Sequence, residues 1–167
     1  MQNEIEKFDV VIIGAGAAGM MCAIEAGKRG RSVLIIEHTH KVGEKIRISG
    51  GGKCNFTNLN IEPKNFLSQN PKFAMSALSR FSQYDFIDLV RSHDITYHEK
   101  TCGQLFCDSN AEQIISMLTK SMDSKNVCLK LNSRAKSIQK NGCFRIILDN
   151  TEIVSNSLVI ACGGKSI

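Results

Sequence analysis

The chain has 167 residues and a mass of 18.4 kDa, with 43% hydrophobic and 22% charged residues, which is one domain's length and an ordinary globular composition and excludes wholesale disorder. No apolar run approaches the ~20 residues of a membrane-spanning helix, and the polar opening Met1-Gln2-Asn3-Glu4 predicts neither a secretory signal nor a transit peptide. The net charge of +5 is compatible with an anionic ligand, and seven cysteines, an odd number, read as reduced thiols of a cytoplasmic protein with no membrane partner.

Residues 8–13, Phe-Asp-Val-Val-Ile-Ile, are an apolar, β-branched run that stops at glycine and predicts a buried parallel strand. Gly14-Ala15-Gly16-Ala17-Ala18-Gly19 follows, and then the helix formers Met21, Ala23, Glu25 and Ala26 within residues 20–28. Residues 32–36 form a second apolar strand that stops at Glu37, which completes a β-α-β unit. In such a unit the first glycine permits a tight turn, the second lets the backbone approach a pyrophosphate, and the third lets helix and strand pack closely. The helix N-terminus offers N–H groups and a partial positive charge to phosphates. Glu37 stands where a carboxylate accepts hydrogen bonds from ribose hydroxyls and repels a 2′-phosphate, so NADP is disfavoured here. The fingerprint leaves FAD and NAD open. His38-Thr39-His40 reads as a solvated turn beside the ribose.

Between Lys41 and Lys53 four basic residues, Lys41, Lys45, Arg47 and Lys53, face the single acid Glu44. No aromatic residue lies in that stretch for a base to stack on, so it suits a small phosphate ligand and predicts no nucleic-acid partner. Gly50-Gly51-Gly52 can bring backbone N–H groups close to a ligand, and Ser49, Asn55, Thr57 and Asn58 add donors and acceptors. The stretch is too rich in glycine and polar groups for a core element, so it reads as a ligand loop.

From Lys72 to Arg91 the apolar residues Phe73, Ala77, Leu78, Phe81, Tyr84, Ile87 and Val90 fall at helical spacing and predict one packing helix. Ser109-x-x-Glu112 has the capping-box pattern of a second. Residues 127–131 read as a strand. Residues 135–154 read as a β-meander with strands at 143–148 and 152–154 and a turn at Asp149-Asn150. A final apolar strand, residues 157–162, ends in Gly163-Gly164, and ligands of open parallel sheets bind at such carboxyl ends.

The fingerprint, Glu37 and above all Ser49-Gly50-Gly51-Gly52-Lys53-Cys54-Asn55-Phe56-Thr57-Asn58 resemble the BaiN-like (aminoacetone-oxidase-like) family of bacterial NAD(P)/FAD-dependent oxidoreductases. Gly103-Gln104-Leu105-Phe106 matches that family too. Lys53 stands where arginine is common and Cys107 where proline is usual. The resemblance implies a Rossmann-like three-layer α/β domain that holds FAD, with NAD(P)H as candidate reductant. It places Gly14, Gly16, Ala17, Ala18 and Gly19 at the pyrophosphate and Glu37 and His38 at the ribose. Lys45, Ser49, Gly50, Gly51, Gly52, Lys53, Cys54, Asn55, Thr57 and Asn58 go to phosphates and flavin. Backbone near Ala135 goes to the adenine, and the junction Ala161, Gly163 and Gly164 lies near the flavin. The resemblance covers essentially the whole chain but only the first part of the family's length. A substrate domain and a segment closing over the flavin are expected to be absent, which suggests a fragment of one FAD-binding domain with a complementary C-terminal chain as partner.

Two other readings stay open, an inactive truncated fragment and an NAD-binding module. Cys54 lacks the neighbouring cysteine that a flavin-linked dithiol needs and reads as an inert thiol, and a Cys102–Cys107 pair is disfavoured in a reducing compartment. The four histidines, His38, His40, His93 and His98, have no zinc-ligand spacing, and no metal is expected. No catalytic acid or base is assigned.

Overall fold

A computed structural model describes residues 5–122, 126–149 and 151–164. In chain order the elements are β1 (Ile5–Ile13), α1 (Ala17–Lys28), β2 (Val33–Ile36), α2 (Glu44–Ile48), β3 (Asn55–Asn58), α3 (Met75–Arg80) and α4 (Gln83–Arg91). Then come β4 (Tyr97–Glu99), β5 (Gln104–Cys107), α5 (Glu112–Met122), β6 (Val127–Lys130), β7 (Ser137–Asn141), β8 (Cys143–Ile147) and β9 (Glu152–Ile160). They fall into two compact units, one built from the chain up to Lys45 and from Leu118 onward, the other from Ile46 to Met117.

The first unit holds a six-stranded sheet in the order β6-β2-β1-β9-β8-β7. The first four run parallel, and β8 and β7 complete an antiparallel meander. Successive strand residues point to opposite faces, so a strand buried at every position must be covered on both. β2 meets that condition with Val33, Leu34, Ile35 and Ile36 all buried. On one face Val11, Leu34, Ile36, Ile146, Leu148 and Ile153 form a core, with Phe8, Phe144 and Leu158 packed against it. α1 buries Gly19, Met20, Ala23 and Ile24, the helical spacing of a single apolar stripe. The β1–β2 register is fixed at its start by Asp9, whose carboxylate accepts from the Ser32 N–H at 2.8 Å and the Ser32 hydroxyl at 3.0 Å. The expected α/β class with a parallel sheet and a meander is the fold observed.

Several boundaries differ from expectation. The two strands expected at 152–154 and 157–162 are one, because neither Ser155 nor Asn156 breaks the ladder. Ser155 is buried, and its hydroxyl donates to the Ser157 carbonyl at 3.0 Å. The whole of β9 therefore pairs with β1, while its first half also closes the meander against β8. Of the expected turn, Asn150 lies outside the described residues, and Leu148 N–H donates to the Thr151 carbonyl across it at 3.0 Å.

The second unit contains a three-stranded antiparallel sheet, β3-β5-β4, that the sequence reading lacks. The single helix expected over 72–91 is two. Phe81 takes an extended conformation, and Ser82 then caps α4: its hydroxyl accepts from Asp85 N–H while the Asp85 carboxylate accepts from Ser82 N–H at 2.7 Å. The apolar spacing runs on across the break, so periodicity does not reveal it. Ile87 and Val90 are buried as that stripe requires, whereas Phe73, Phe81 and Tyr84 are exposed. α5 starts at Glu112, whose N–H is accepted by Asn110 Oδ1 at 3.0 Å rather than by the expected cap Ser109.

Ile146 is fully buried in the core shared by β8, β2 and β1, whereas Ile138 on the edge strand β7 is 41% exposed. Ile146→Ala is expected to cost about 2–5 kcal/mol, and Ile138→Ala no more than about 0.5 kcal/mol. Urea unfolding followed by circular dichroism distinguishes the two. Equal losses would remove the meander from the core.

Candidate functional site

The site is built where β1, β2 and β9 end in the first unit. Gly14 leaves β1 with φ +108°, and its N–H donates to the Ile36 carbonyl at 2.8 Å. A Cβ at Gly14 would lie 2.5 Å from the Ala161 carbonyl oxygen, and one at Gly19 would lie 1.9 Å from the Gly14 carbonyl oxygen. Both glycines are therefore demanded by backbone packing, the first against the end of β9 and the second between α1 and the turn. Gly16 is different. It caps α1 with ordinary extended dihedrals (φ −82°, ψ −173°), and a Cβ there would meet nothing within 4 Å. Protein packing does not require a glycine at that position. No side chain caps α1, no acid stands in its first turn, and Ala17 and Ala18 are exposed. The result is an open helix N-terminus with cleared space in front of it, the arrangement that receives a phosphate.

Glu37 ends β2 with only 7% of its surface exposed. Its Oε2 accepts from the Ala15 N–H at 2.8 Å, directly inside the glycine turn. Its Oε1 accepts from the Thr39 N–H and the Thr39 hydroxyl, both at 2.9 Å, and lies 2.8 Å from His38 Nδ1. Burial pushes this carboxyl up, but the hydrogen bonds from Ala15 and Thr39, with His38, together hold it below its ordinary value of 4.5. The sequence reading placed Glu37 and His38 but missed Thr39 as the residue that locks the carboxylate. A threonine two positions after an acid is the signal that was available.

The remaining first-unit candidates gather at the same strand ends. Gly43 N–H donates to the Ala15 carbonyl at 2.9 Å, and Lys45 Nζ donates to the Gly164 carbonyl at 3.0 Å. Gly163 has φ +80°, and a Cβ there would stand 3.3 Å from the Lys45 ammonium. Ala161 N–H continues the ladder to the Ile13 carbonyl at 2.8 Å. Ala135 follows a loop tied to the acid, since Ser133 N–H donates to the Glu37 carbonyl at 2.9 Å. Thus Gly14, Gly16, Gly19, Glu37, Lys45, Ala161, Gly163 and Gly164 are brought together at these strand ends, with Ala135 one loop away.

The other candidates belong to the second unit, and there the loop reading is corrected. The stretch contains α2, a glycine turn and β3. Gly50, Gly51 and Gly52 all have positive φ (+57°, +65° and +86°), and a Cβ at Gly50 would also strike the Phe106 ring at 2.5 Å. Ser49 donates to the Ile46 carbonyl at 2.7 Å, and Lys53 Nζ to the Asp108 carbonyl at 2.6 Å. Asn55, Thr57 and Asn58 pair with β5, and the Asn58 amide donates to the Cys102 carbonyl at 2.9 Å. Cys54 is buried, and burial pushes its thiol up and that of Cys107 to about 11. All seven cysteines are free. Among the described residues no group of three or more metal-ligating side chains occurs, and no helix is long and apolar enough to cross a membrane.

Fold and turn together define a Rossmann-type α/β domain. The chain belongs to the family described as the HI0933-like protein Rossmann domain, whose model matches residues 8–167. It is 53% identical over 163 residues to a ribosomal RNA dihydrouridine synthase of Escherichia coli (strain K12), across 97% of this chain and 41% of that protein. A protein of the same name from Haemophilus influenzae is 47% identical across 93% of this chain and 40% of its own length. A 3-dehydro-bile acid delta(4,6)-reductase of Clostridium scindens is 26% identical, across 93% and 39%. The chain therefore spans about two fifths of the relatives it matches. Among solved structures, the 3-ketosteroid-delta4-(5alpha)-dehydrogenase of Rhodococcus jostii RHA1 superposes with a TM-score of 0.66 at 13% identity, over 93% of this chain and 45% of that one. Glycine oxidase from Geobacillus kaustophilus gives 0.58 at 17%, over 95% and 56%. At these identities the likeness concerns the fold.

Glu37→Gln sets an amide against donor groups and is expected to cost about 1–3 kcal/mol near neutrality. Because the folded carboxyl titrates below 4.5, its stabilisation is complete above that pH and is lost as pH falls through the folded value. The difference in urea midpoint between wild type and variant should therefore shrink on acidification. A difference that stays constant would remove Glu37 from the acid response.

Proposed function

We propose that this chain is the FAD-binding part of a flavin-dependent reductase whose substrate is uridine in ribosomal RNA. The cofactor reading is carried by one observation, the cleared space at Gly16 before the uncapped N-terminus of α1. The substrate reading is supported by the relatives named ribosomal RNA dihydrouridine synthase. It departs from the expectation of no nucleic-acid partner, which rested on the absence of a stacking aromatic between Lys41 and Lys53.

In this proposal Gly14, Gly16, Ala17, Ala18 and Gly19 receive the pyrophosphate. Glu37 offers the ribose its Oε2, which already has a donor in Ala15 but keeps acceptor capacity, since an ionised carboxylate has about four lone-pair sites. His38 stands beside that carboxylate, Lys45 contributes positive charge, and backbone near Ala135 meets the adenine. Ala161, Gly163 and Gly164 approach the flavin. The second-unit candidates, from Ser49 to Asn58, are assigned to phosphates and flavin on the family resemblance. When bound, the flavin supplies hydride chemistry, here toward the C5=C6 bond of uracil, with NAD(P)H as its reductant. A complementary segment is proposed to supply the family length that this chain does not match, and the free thiols favour a cytoplasmic setting.

The purified chain is expected to show flavin absorption bands near equal stoichiometry, and heat is expected to release FAD. Gly16→Ala should leave urea stability within about 1 kcal/mol of wild type, because no clash or strained φ opposes the methyl group, yet it should weaken FAD retention sharply. Glu37→Ala should weaken retention as well. A colourless protein that stays flavin-free after FAD addition would favour the inactive-fragment reading, and bound nicotinamide without flavin would favour the NAD module.

A further inference from the structure

We infer that Lys53, His98 and Lys100 of the second unit form a built contact site for a phosphodiester of single-stranded RNA. This rests on the ribosomal RNA reading above and names the protein side of that contact. The arrangement lies within the second unit and uses His98, Lys100 and Asp108, to which the sequence reading gave no role. His98 on β4 lies directly across from Phe106 on β5, and the two rings stack with centroids 6.3 Å apart and planes 20° apart. Asp108, just past β5, holds His98 Nδ1 at 2.7 Å, which leaves Nε2 as the outward nitrogen. The same residue's carbonyl accepts from Lys53 Nζ at 2.6 Å. Lys100 Nζ stands 4.3 Å from the centre of the Phe106 ring.

One buried ring and one acid thus position two ammonium groups and an imidazole on exposed side chains. The acid is itself held in place: Asp108 N–H donates to the Thr96 carbonyl at 3.0 Å, and the hydrogen bonds from His98 and Thr96 draw its carboxyl below the ordinary range. Other cations of this unit are spent on neighbours: Arg47 pairs with Glu112, Lys64 with Glu62, and Arg91 with Asp88. Glu99 alternates to the opposite face of β4 from His98. A phosphodiester oxygen matches this donor set, and RNA in single-stranded form presents such groups. Inorganic phosphate shares the chemistry, so the test must separate the two.

Fluorescence anisotropy of a labelled oligouridylate, titrated with the full chain at several salt concentrations, reads the contact. Lys100→Gln and Lys53→Gln should each weaken binding and make the slope of log affinity against log salt shallower by about 0.7, the single-strand value per phosphate contact. His98→Gln should weaken binding, since a ring whose Nδ1–H bonds Asp108 can donate from Nε2 only when it carries both protons. Asp108→Asn is the discriminating variant. It adds one unit of net positive charge, so unspecific attraction predicts tighter binding, whereas a site built by Asp108 predicts weaker binding. Tighter binding would overturn the inference. Wild-type binding that none of the variants alters would overturn the site but leave the ribosomal RNA substrate standing. No binding by the wild type would remove both. Titration with inorganic phosphate, followed by the His98 imidazole resonances, covers the last case: a response to phosphate with RNA binding unaltered by the variants marks a free-phosphate site and overturns the RNA contact.

Discussion

The hydrogen bond from the Ala15 N–H to the Glu37 carboxylate is the constraint on which the site in the first unit depends. It joins the turn leaving β1 to the end of β2, and the same carboxylate fixes Thr39 through two further bonds. A buried carboxylate without donors would be costly, so the chain must keep the glycine turn within reach of it. The turn in turn places the Gly14 backbone against Ala161 at the end of β9, where no side chain fits. The ends of β1, β2 and β9 therefore meet at the glycine turn, where one acid takes a backbone donor from the neighbouring strand's turn. Lys45 and Gly43 then fasten the start of α2 to the same ends.

This changes how the fingerprint is to be understood. Its three glycines are usually read as three service positions for a ligand, but only one of them is free of the protein's own demands here. Gly14 and Gly19 are needed for the fold whether or not a ligand is present. Gly16 sits in a permitted conformation with open space around it, so its missing side chain has no structural explanation within the protein. A ligand accounts for a glycine at the one position of the three where packing does not. Glu37 occupies the middle ground, since it serves the fold through Ala15 and Thr39 and still presents an oxygen toward the turn.

The first unit was legible because its signals are local and strong. The continuous apolar runs in β1 and β2 and the glycine spacing between them each have one structural solution, a buried parallel pair joined by a helix. What failed there was punctuation: Ser155 and Asn156 look like a break, yet an inward serine that satisfies its own hydroxyl continues the strand. The second unit was largely illegible. β3, β4 and β5 are three or four residues long, and their pairing rests on contacts between residues 6 to 51 positions apart, which no local period records. The α3–α4 break depends on the Ser82–Asp85 cap inside an unbroken apolar rhythm, so the rhythm concealed it. His98 and Asp108 came together only through that unseen sheet.

On the functions proposed above, the division between legible and illegible follows function as well as geometry. A nucleotide-binding turn is set by backbone requirements that many sequences must satisfy alike, so it leaves a pattern in the chain. A surface for a particular substrate is set by side chains that a local sheet happens to carry to one face, and its pattern exists only in three dimensions. The triple glycine stands on the border between the two. Its left-handed dihedrals and the close approach of Gly50 to Phe106 are backbone demands, yet Phe106 is also the ring against which His98 and Lys100 are set. A side chain at Gly50 would displace that ring, so this glycine supports the exposed cations by letting the buried aromatic remain where it is. The geometry of Gly50 thus has a structural reason of its own, which stands beside the ligand contact proposed for this stretch.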